Sequence, residues 1–246
     1  METHTELDLQ LYEAAHKSDL EGVRRALAAG ANVNALIDGV HCMLAYLDDV
    51  GIVRELLDAG ADPNLSSPDF APDALYWAAN SGRTDVVKLL LEAGARIELE
   101  LNYYRRGGDM DFDFESALHA AVEDGHLDVV RLLLDSGGKC MLDKFNYVHR
   151  TPLMVAVDEQ NIEMVKLLIA AGSDVNARDE PGIGNTAIHH AVKTSNVEVV
   201  KLLLEAGADP RIPGWMGSSA VDAGLRDSKR QIVELLEFAI RAMNDG

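Results

Sequence analysis

Positive charge is what this chain has least of: 22 Lys and Arg stand against 41 Asp and Glu, a formal charge of -19 over 246 residues. Such a surface repels phosphate backbones and anionic headgroups, so neither nucleic acid nor a membrane is an expected partner. Cysteine is nearly absent. Cys42 and Cys140 lie far apart and outside any CxxC or Cys/His cluster, which argues against a disulfide framework and a zinc site and for a reducing compartment, the cytoplasm. Aromatic residues make up only 5 %, too few for an aromatic-centred β core, while 48 % hydrophobic residues rich in Ala and Leu suit packed helices. No apolar run approaches the roughly 18 residues of a membrane span. The opening Met1-Glu2-Thr3-His4-Thr5-Glu6 has neither the basic region nor the apolar core of a signal sequence. Missing as well are a Gly-x-Ser-x-Gly elbow, a phosphate-binding loop and a His-Glu-x-x-His string, so catalysis and cofactors are not expected.

What the chain does have is a recurring close. Apolar helical runs end in a small residue and a glycine, as in Val86-Val87-Lys88-Leu89-Leu90-Leu91-Glu92-Ala93-Gly94 and Val199-Val200-Lys201-Leu202-Leu203-Leu204-Glu205-Ala206-Gly207. The closing glycines are Gly30, Gly60, Gly94, Gly137, Gly172 and Gly207, spaced by 30, 34, 43, 35 and 35 residues. A period near 33 signals stacked helical pairs, each burying its apolar face on the next, and therefore one continuous domain over residues 1–246.

The unit is legible in chemical detail. Ser116-Ala117-Leu118-His119-Ala120-Ala121, Thr151-Pro152-Leu153-Met154-Val155-Ala156 and Thr186-Ala187-Ile188-His189-His190-Ala191 each open on a hydroxyl that caps the free amides of a first helix. Ala14, Ala78, Ala121, Ala156 and Ala191 all fall 16 residues before a closing glycine, which predicts a crowded helix contact. A second helix follows, apolar at helical spacing, as in Val129, Val130, Leu132, Leu133 and Leu134, and glycine supplies its left-handed end.

These strings resemble the ankyrin repeat, whose pattern opens Thr-Pro-Leu-His and closes Leu-Leu-x-x-Gly-Ala. The resemblance covers nearly the whole chain, as repeats near 6–35, 37–65, 70–99, 113–142, 148–177, 183–212 and 216–246. It implies an all-α solenoid of antiparallel helix pairs with projecting hairpin-like loops, and a concave face, lined by first helices and loops, that binds proteins. His119 and His189 occupy the family's structural histidine position. Repeat two, with Val40-His41-Cys42-Met43-Leu44-Ala45, is about three residues short, and repeat three has Asp73 where the opening Thr stands. Repeat seven lacks the glycine close and crowds in Arg226, Asp227, Lys229, Arg230 and Arg241, as a polar terminal cap does.

One loop breaks the rhythm. From Gly94 to the cap Ser116 is 22 residues, against 14 from Gly137 to Thr151 and from Gly172 to Thr186, and 12 from Gly207 to Ser219. This extended finger, 98–115, carries Tyr103, Tyr104, Arg105, Arg106, Asp109, Asp111, Phe112, Asp113 and Phe114, with Gly107-Gly108 to turn it back as a hairpin. Tyr and Arg are the residues interfaces favour. Its alternating aspartates do not read as a calcium loop, because neither the required glycine nor the twelfth-position glutamate follows. Phe145, Tyr147 and Trp215 place further aromatics in fingers. The positions just after the first-helix core, which in the family face the concavity, are acidic in repeats four and five: Glu123 and Asp124, then Asp158 and Glu159.

The expectation is a non-enzymatic module that binds a protein with a basic surface, the long finger as anchor and the acidic pairs as electrostatic guide. A monomer is the favoured state. An inhibitor or an immunity partner of a basic toxin is one use; a self-associating adaptor or assembly subunit and a host-directed effector are the alternatives. Solubility alone explains the same acidity, and only the placement of the charges separates the two.

Overall fold

Helix starts are set by side-chain caps. Thr5, Asp73, Ser116, Thr151 and Ser219 each accept the backbone N–H three residues on, at 2.8–3.4 Å, satisfying an amide that the first turn of a helix leaves unpaired. Second helices are capped in the same way by Asp19, Asp49, Asn161 and Asn196, a signal the opening motif does not announce. At the other end each closing glycine adopts a left-handed turn, φ being +89° at Gly94 and +91° at Gly207, and the next amide reaches back to Leu90 and Leu203.

The computed structural model describes residues 5–37, 44, 47–65, 73–98, 101–104, 112–179 and 184–245. They form two units, Met1–Ser136 and Gly137–Gly246. The first holds α1 (Glu6–His16), α2 (Leu20–Ala28), α3 (Val50–Asp58), α4 (Ala74–Asn80), α5 (Thr84–Glu92), β1 (Leu101–Tyr104), β2 (Phe112–Glu115), α6 (Ala117–Glu123) and α7 (Leu127–Asp135). Within it α1 packs on α2, α4 on α5 and α6 on α7; α4 lies against α6, and α2, α3, α5 and α7 follow one another in a row. The second unit holds α8 (Pro152–Asp158), α9 (Ile162–Ala171), α10 (Ala187–Thr194), α11 (Val197–Glu205), α12 (Ala220–Arg226) and α13 (Arg230–Asp245). There α8–α9, α10–α11 and α12–α13 pair, first helices stack on first helices, and second on second.

The core is aliphatic. Leu75, Leu118, Leu153 and Ile188 of the first helices and Val87, Leu90, Val130, Leu133, Val165, Leu168, Val200 and Leu203 of the second helices are fully buried or nearly so. Ala121, Ala156 and Ala191 have no exposure, as the crowding argument requires. Ala14 differs: it is half-buried, and a methyl added at Gly22 of α2 would come within 3.0 Å of it.

Between neighbouring repeats of each unit runs a link that the motif reading overlooked. Four residues past a closing glycine, Asn34, Asn64 and Asn176 donate to the next closing carbonyl, at Gly60, Gly94 and Gly207, at 3.0–3.1 Å. Their own carbonyls accept from the backbones of Asp62, Arg96 and Asp209 at 2.7–2.8 Å. Glu98 stands at the corresponding place before the long finger. That finger is a two-stranded antiparallel ladder pairing Leu101 with Glu115, Asn102 with Phe114, Tyr103 with Asp113 and Tyr104 with Phe112, so the hairpin expectation holds in the backbone. The expected irregularity of repeat two lies outside the described residues, apart from the buried Leu44 and Leu47. The last repeat exposes apolar side chains beside its polar ones: Leu225 is 59 % and Phe238 70 % exposed.

Candidate protein-binding surface

In the second unit three fingers stand beside the first helices, each closed by its own hydrogen bonds. Asn146 is buried, and its side-chain oxygen accepts the amides of Val148 and Arg150 at 3.2 and 2.9 Å. That turn leaves Phe145 and Tyr147 more than 40 % exposed. In the second finger the Asp179 amide donates to the Asn185 carbonyl at 2.8 Å, and the Asn185 amide returns a bond to the Asp179 carboxylate at 2.6 Å. The third closes from the Gly214 amide to the Ser218 carbonyl at 2.8 Å and carries Trp215, 53 % exposed, at its tip.

Fingers two and three are tied together. The Trp215 amide donates to Asn185 Oδ1 at 3.1 Å, and Arg178 Nη2 to the Pro213 carbonyl at 2.9 Å. Gly214 is needed here for closeness, since a Cβ would meet Asn185 Oδ1 at 2.5 Å and His189 Nε2 at 2.8 Å. His189 acts as the sequence predicts. Its Nδ1 accepts the Thr186 N–H at 3.2 Å, which leaves the proton on Nε2 to donate to the Ser218 carbonyl at 3.3 Å. Burial holds its pKa below the ordinary value, in keeping with a neutral ring. His119 is similarly enclosed, with Ser116 Oγ 2.9 Å from its Nδ1.

Asp158, at the end of α8, does not point freely at solvent. Its carboxylate accepts from His190 Nδ1 at 2.9 Å and lies 3.3 Å from Arg150 Nη1. His190, 4 % exposed, also has Nε2 3.5 Å from Asp179 Oδ2, and the Arg150 guanidinium rests against its ring. Burial opposes ionisation of Asp158, but the bond and charge of His190 and the charge of Arg150 outweigh it and hold the carboxyl below its ordinary range. Glu159, next along, is exposed.

Above this network lies an open cavity of about 370 Å³, lined in part by Arg150, His190, Lys193, Trp215 and Arg226. Arg226 donates to Ser218 Oγ at 3.0 Å. Among the described residues neither Lys193 nor Arg226 takes part in an ion pair. Motif reading missed Arg150, Asp179, His190 and Arg226. One signal was available: His190 stands where the matching first helices carry Ala120 and Val155, a polar ring in an apolar column.

In the first unit, Glu123 and Asp124 are exposed at the end of α6. Asn80 Nδ2 donates to the Asp124 carboxylate, and His126 Nε2 donates to the backbone carbonyl of Asn80 at 2.8 Å. Tyr103, Tyr104, Phe112, Asp113 and Phe114 are strand residues whose side chains lie outside the description, as do Arg105, Arg106, Asp109 and Asp111 altogether. Among the described residues no group of three His, Cys, Asp or Glu is placed to hold a metal ion, and no helix is long and apolar enough to cross a membrane.

Hydroxyl-capped first helices, glycine-closed second helices and hydrogen-bonded fingers define a helix-pair repeat protein. A family profile described as "Ankyrin repeats (3 copies)" matches residues 11–102, 40–137 and 99–179, and one described as "Ankyrin repeat" matches 183–215. The chain belongs to the ankyrin-repeat family, whose members are protein-interaction modules. The crystal structure of the human ASB11 ankyrin repeat domain is similar at a TM-score of 0.74 and 30 % identity, over 92 % of this chain and 96 % of that one. Mouse cyclin-dependent kinase 4 inhibitor B is 32 % identical over 94 residues, 37 % of this chain and 72 % of that protein. Cyclin-dependent kinase inhibitor 2A of Monodelphis domestica is 30 % identical over 103 residues, 41 % and 60 % of the two chains.

Proposed function

We propose that this chain is a non-catalytic inhibitor that binds a partner protein with a basic surface, using its fingers and the exposed ends of its first helices. The observation that carries the reading is the trio Phe145, Tyr147 and Trp215, large rings held out on fingers whose backbones are closed by hydrogen bonds. Rings on ordered loops lose little entropy on binding, which is why interfaces are built around them. The charge of -19 supports attraction of a basic surface, and so does the exposure of Glu123, Asp124 and Glu159 at the ends of α6 and α8. Two relatives named as kinase inhibitors support inhibition as the use. The exposed thiol of Cys140 suits a reducing compartment, the cytoplasm.

The long finger is the proposed anchor. Capture of the partner from extracts of the source organism, by the intact chain and by a variant lacking residues 102–111, tests it. The deletion variant, shown to be folded by circular dichroism, retains little or none of the protein that the intact chain retains. Equal retention by the folded variant removes the anchor role. Retention that is indifferent to raising the salt to 1 M removes the electrostatic one.

A further inference from the structure

The cavity in the second unit has a character opposite to that of the chain around it. The net charge is -19, yet the cavity collects Arg150, Lys193 and Arg226, with His189 and His190 beneath them. Its one lining carboxylate, Asp227, pairs with Lys229 at 3.0 Å. Arg150 is held by Asp158, whereas Lys193 and Arg226 form no ion pair among the described residues, although the charge of Asp158 acts on Lys193 and that of Asp222 on Arg226. Acceptors around the cavity are already occupied: Asn185 Oδ1 by the Trp215 amide, and the Ser218 carbonyl by His189 and the Gly214 amide. What faces the space is therefore mainly a set of donors, with Lys193 and Arg226 the two cations outside any ion pair among the described residues.

We propose that this cavity is a recognition pocket for an acidic peptide segment of a partner protein, a carboxylate entering between Lys193 and Arg226 while a neighbouring apolar side chain lies on Trp215. Charge complementarity selects the carboxylate, since two basic groups outside any ion pair among the described residues attract an anion that the rest of the surface repels. Trp215 and the adjacent Met216, 79 % exposed, select a peptide over a free small anion. A phosphate would gain the two cations and nothing from the indole, whereas an extended segment covers both. The volume fits one or two side chains, as the lower end of ligand pockets does. The proposal rests on the protein-binding reading but assigns this pocket a partner segment of the opposite charge to the basic surface assigned to the partner as a whole.

The test uses the whole chain and a fluorescein-labelled synthetic peptide of alternating Glu and Leu, with the matching Gln and Leu peptide as neutral control and inorganic phosphate as competitor. Polarisation is expected to show saturable binding of the acidic peptide, at least tenfold weaker binding of the neutral one, and at least a tenfold loss in the Lys193→Ala, Arg226→Ala double variant. Trp215→Ala loses severalfold while circular dichroism stays unchanged. Absence of saturable binding, equal binding of the neutral peptide, unchanged binding by the folded double variant, or displacement by phosphate at the peptide's own concentration overturns the proposal. Partner capture by the double variant separates the two readings: a pocket that fails while capture persists leaves the protein-binding reading standing.

Discussion

Asp158 and His190, 32 residues apart in the chain and on adjacent first helices, share a 2.9 Å hydrogen bond between Oδ1 and Nδ1. The bond makes an acidic position, which the sequence offers to a partner, part of the packing between two repeats. His190 is buried, so replacing the carboxylate by a neutral amide keeps an acceptor oxygen for the ring but removes the charge that faces the ring and Arg150.

Asp158→Asn is therefore expected to destabilise the chain by about 1–2 kcal/mol near neutral pH, less than a fully buried pair because Asp158 is partly exposed. The sign of its pH dependence follows from a folded pKa below the unfolded one. The carboxylate's contribution is complete above about pH 4 and fades as pH falls through the lowered folded value. Urea midpoints of wild type and variant should thus draw together as pH falls below about 4, and a gap that does not narrow there would contradict this account.

Asp73 behaves in the opposite sense. It caps α4 by accepting the Tyr76 amide at 2.8 Å, but burial raises its pKa from 3.8 to about 6. A raised acid favours the folded state below its unfolded pKa and loses that contribution as pH rises through 6. Asp73→Asn keeps a capping oxygen without the charge. It should stabilise by up to roughly 3 kcal/mol at pH 7, two pKa units at about 1.4 each, and by little at pH 4. Thermal melts at the two pH values decide it, and an equal effect at both would count against burial as the cause.

Two left-handed glycines separate conformational strain from collision. An alanine Cβ at Gly207 would meet nothing within 4 Å, so Gly207→Ala should lose only about 1 kcal/mol, from its φ of +91°. At Gly82, φ +68°, the same Cβ would come within 2.5 Å of the His126 ring. Gly82→Ala should cost clearly more than Gly207→Ala in urea titration, and equal losses would mean that the ring swings aside freely.

The asparagine links between repeats should be separable from the core. Asn176→Ala removes the bond to the Gly207 carbonyl and the bond from the Asp209 amide, a loss of about 1–2 kcal/mol for two partly solvated hydrogen bonds. Hydrogen exchange at the Asp209 amide should accelerate. Protection unchanged there would show that the link does not hold the turn.

Repeat period, caps and closing glycines were legible because they are local: a hydroxyl three residues before an amide, or a residue that must turn left, is written within one short string. The structural role of His119 and His189 came from the resemblance to the ankyrin repeat, since the bond from His189 to the Ser218 carbonyl crosses to the next repeat. Asp158 was not legible, because His190 comes from the next repeat and Arg150 from the turn before α8, and no spacing announces either. The cavity was equally hidden, assembled from three separated stretches around Arg150, Lys193 and Arg226. Asn34, Asn64 and Asn176 carried a visible period, four residues past each glycine, that went unread because Asn in a loop looks like turn chemistry.

Affinity for the captured partner tests the central claim most directly. Titration of that partner by isothermal calorimetry against wild type and against Phe145→Ser, Tyr147→Ser, Trp215→Ser is expected to give at least a hundredfold weaker binding by the triple variant, with unchanged circular dichroism. Affinity equal to wild type in the folded triple variant would contradict the claim that the finger aromatics form the binding surface.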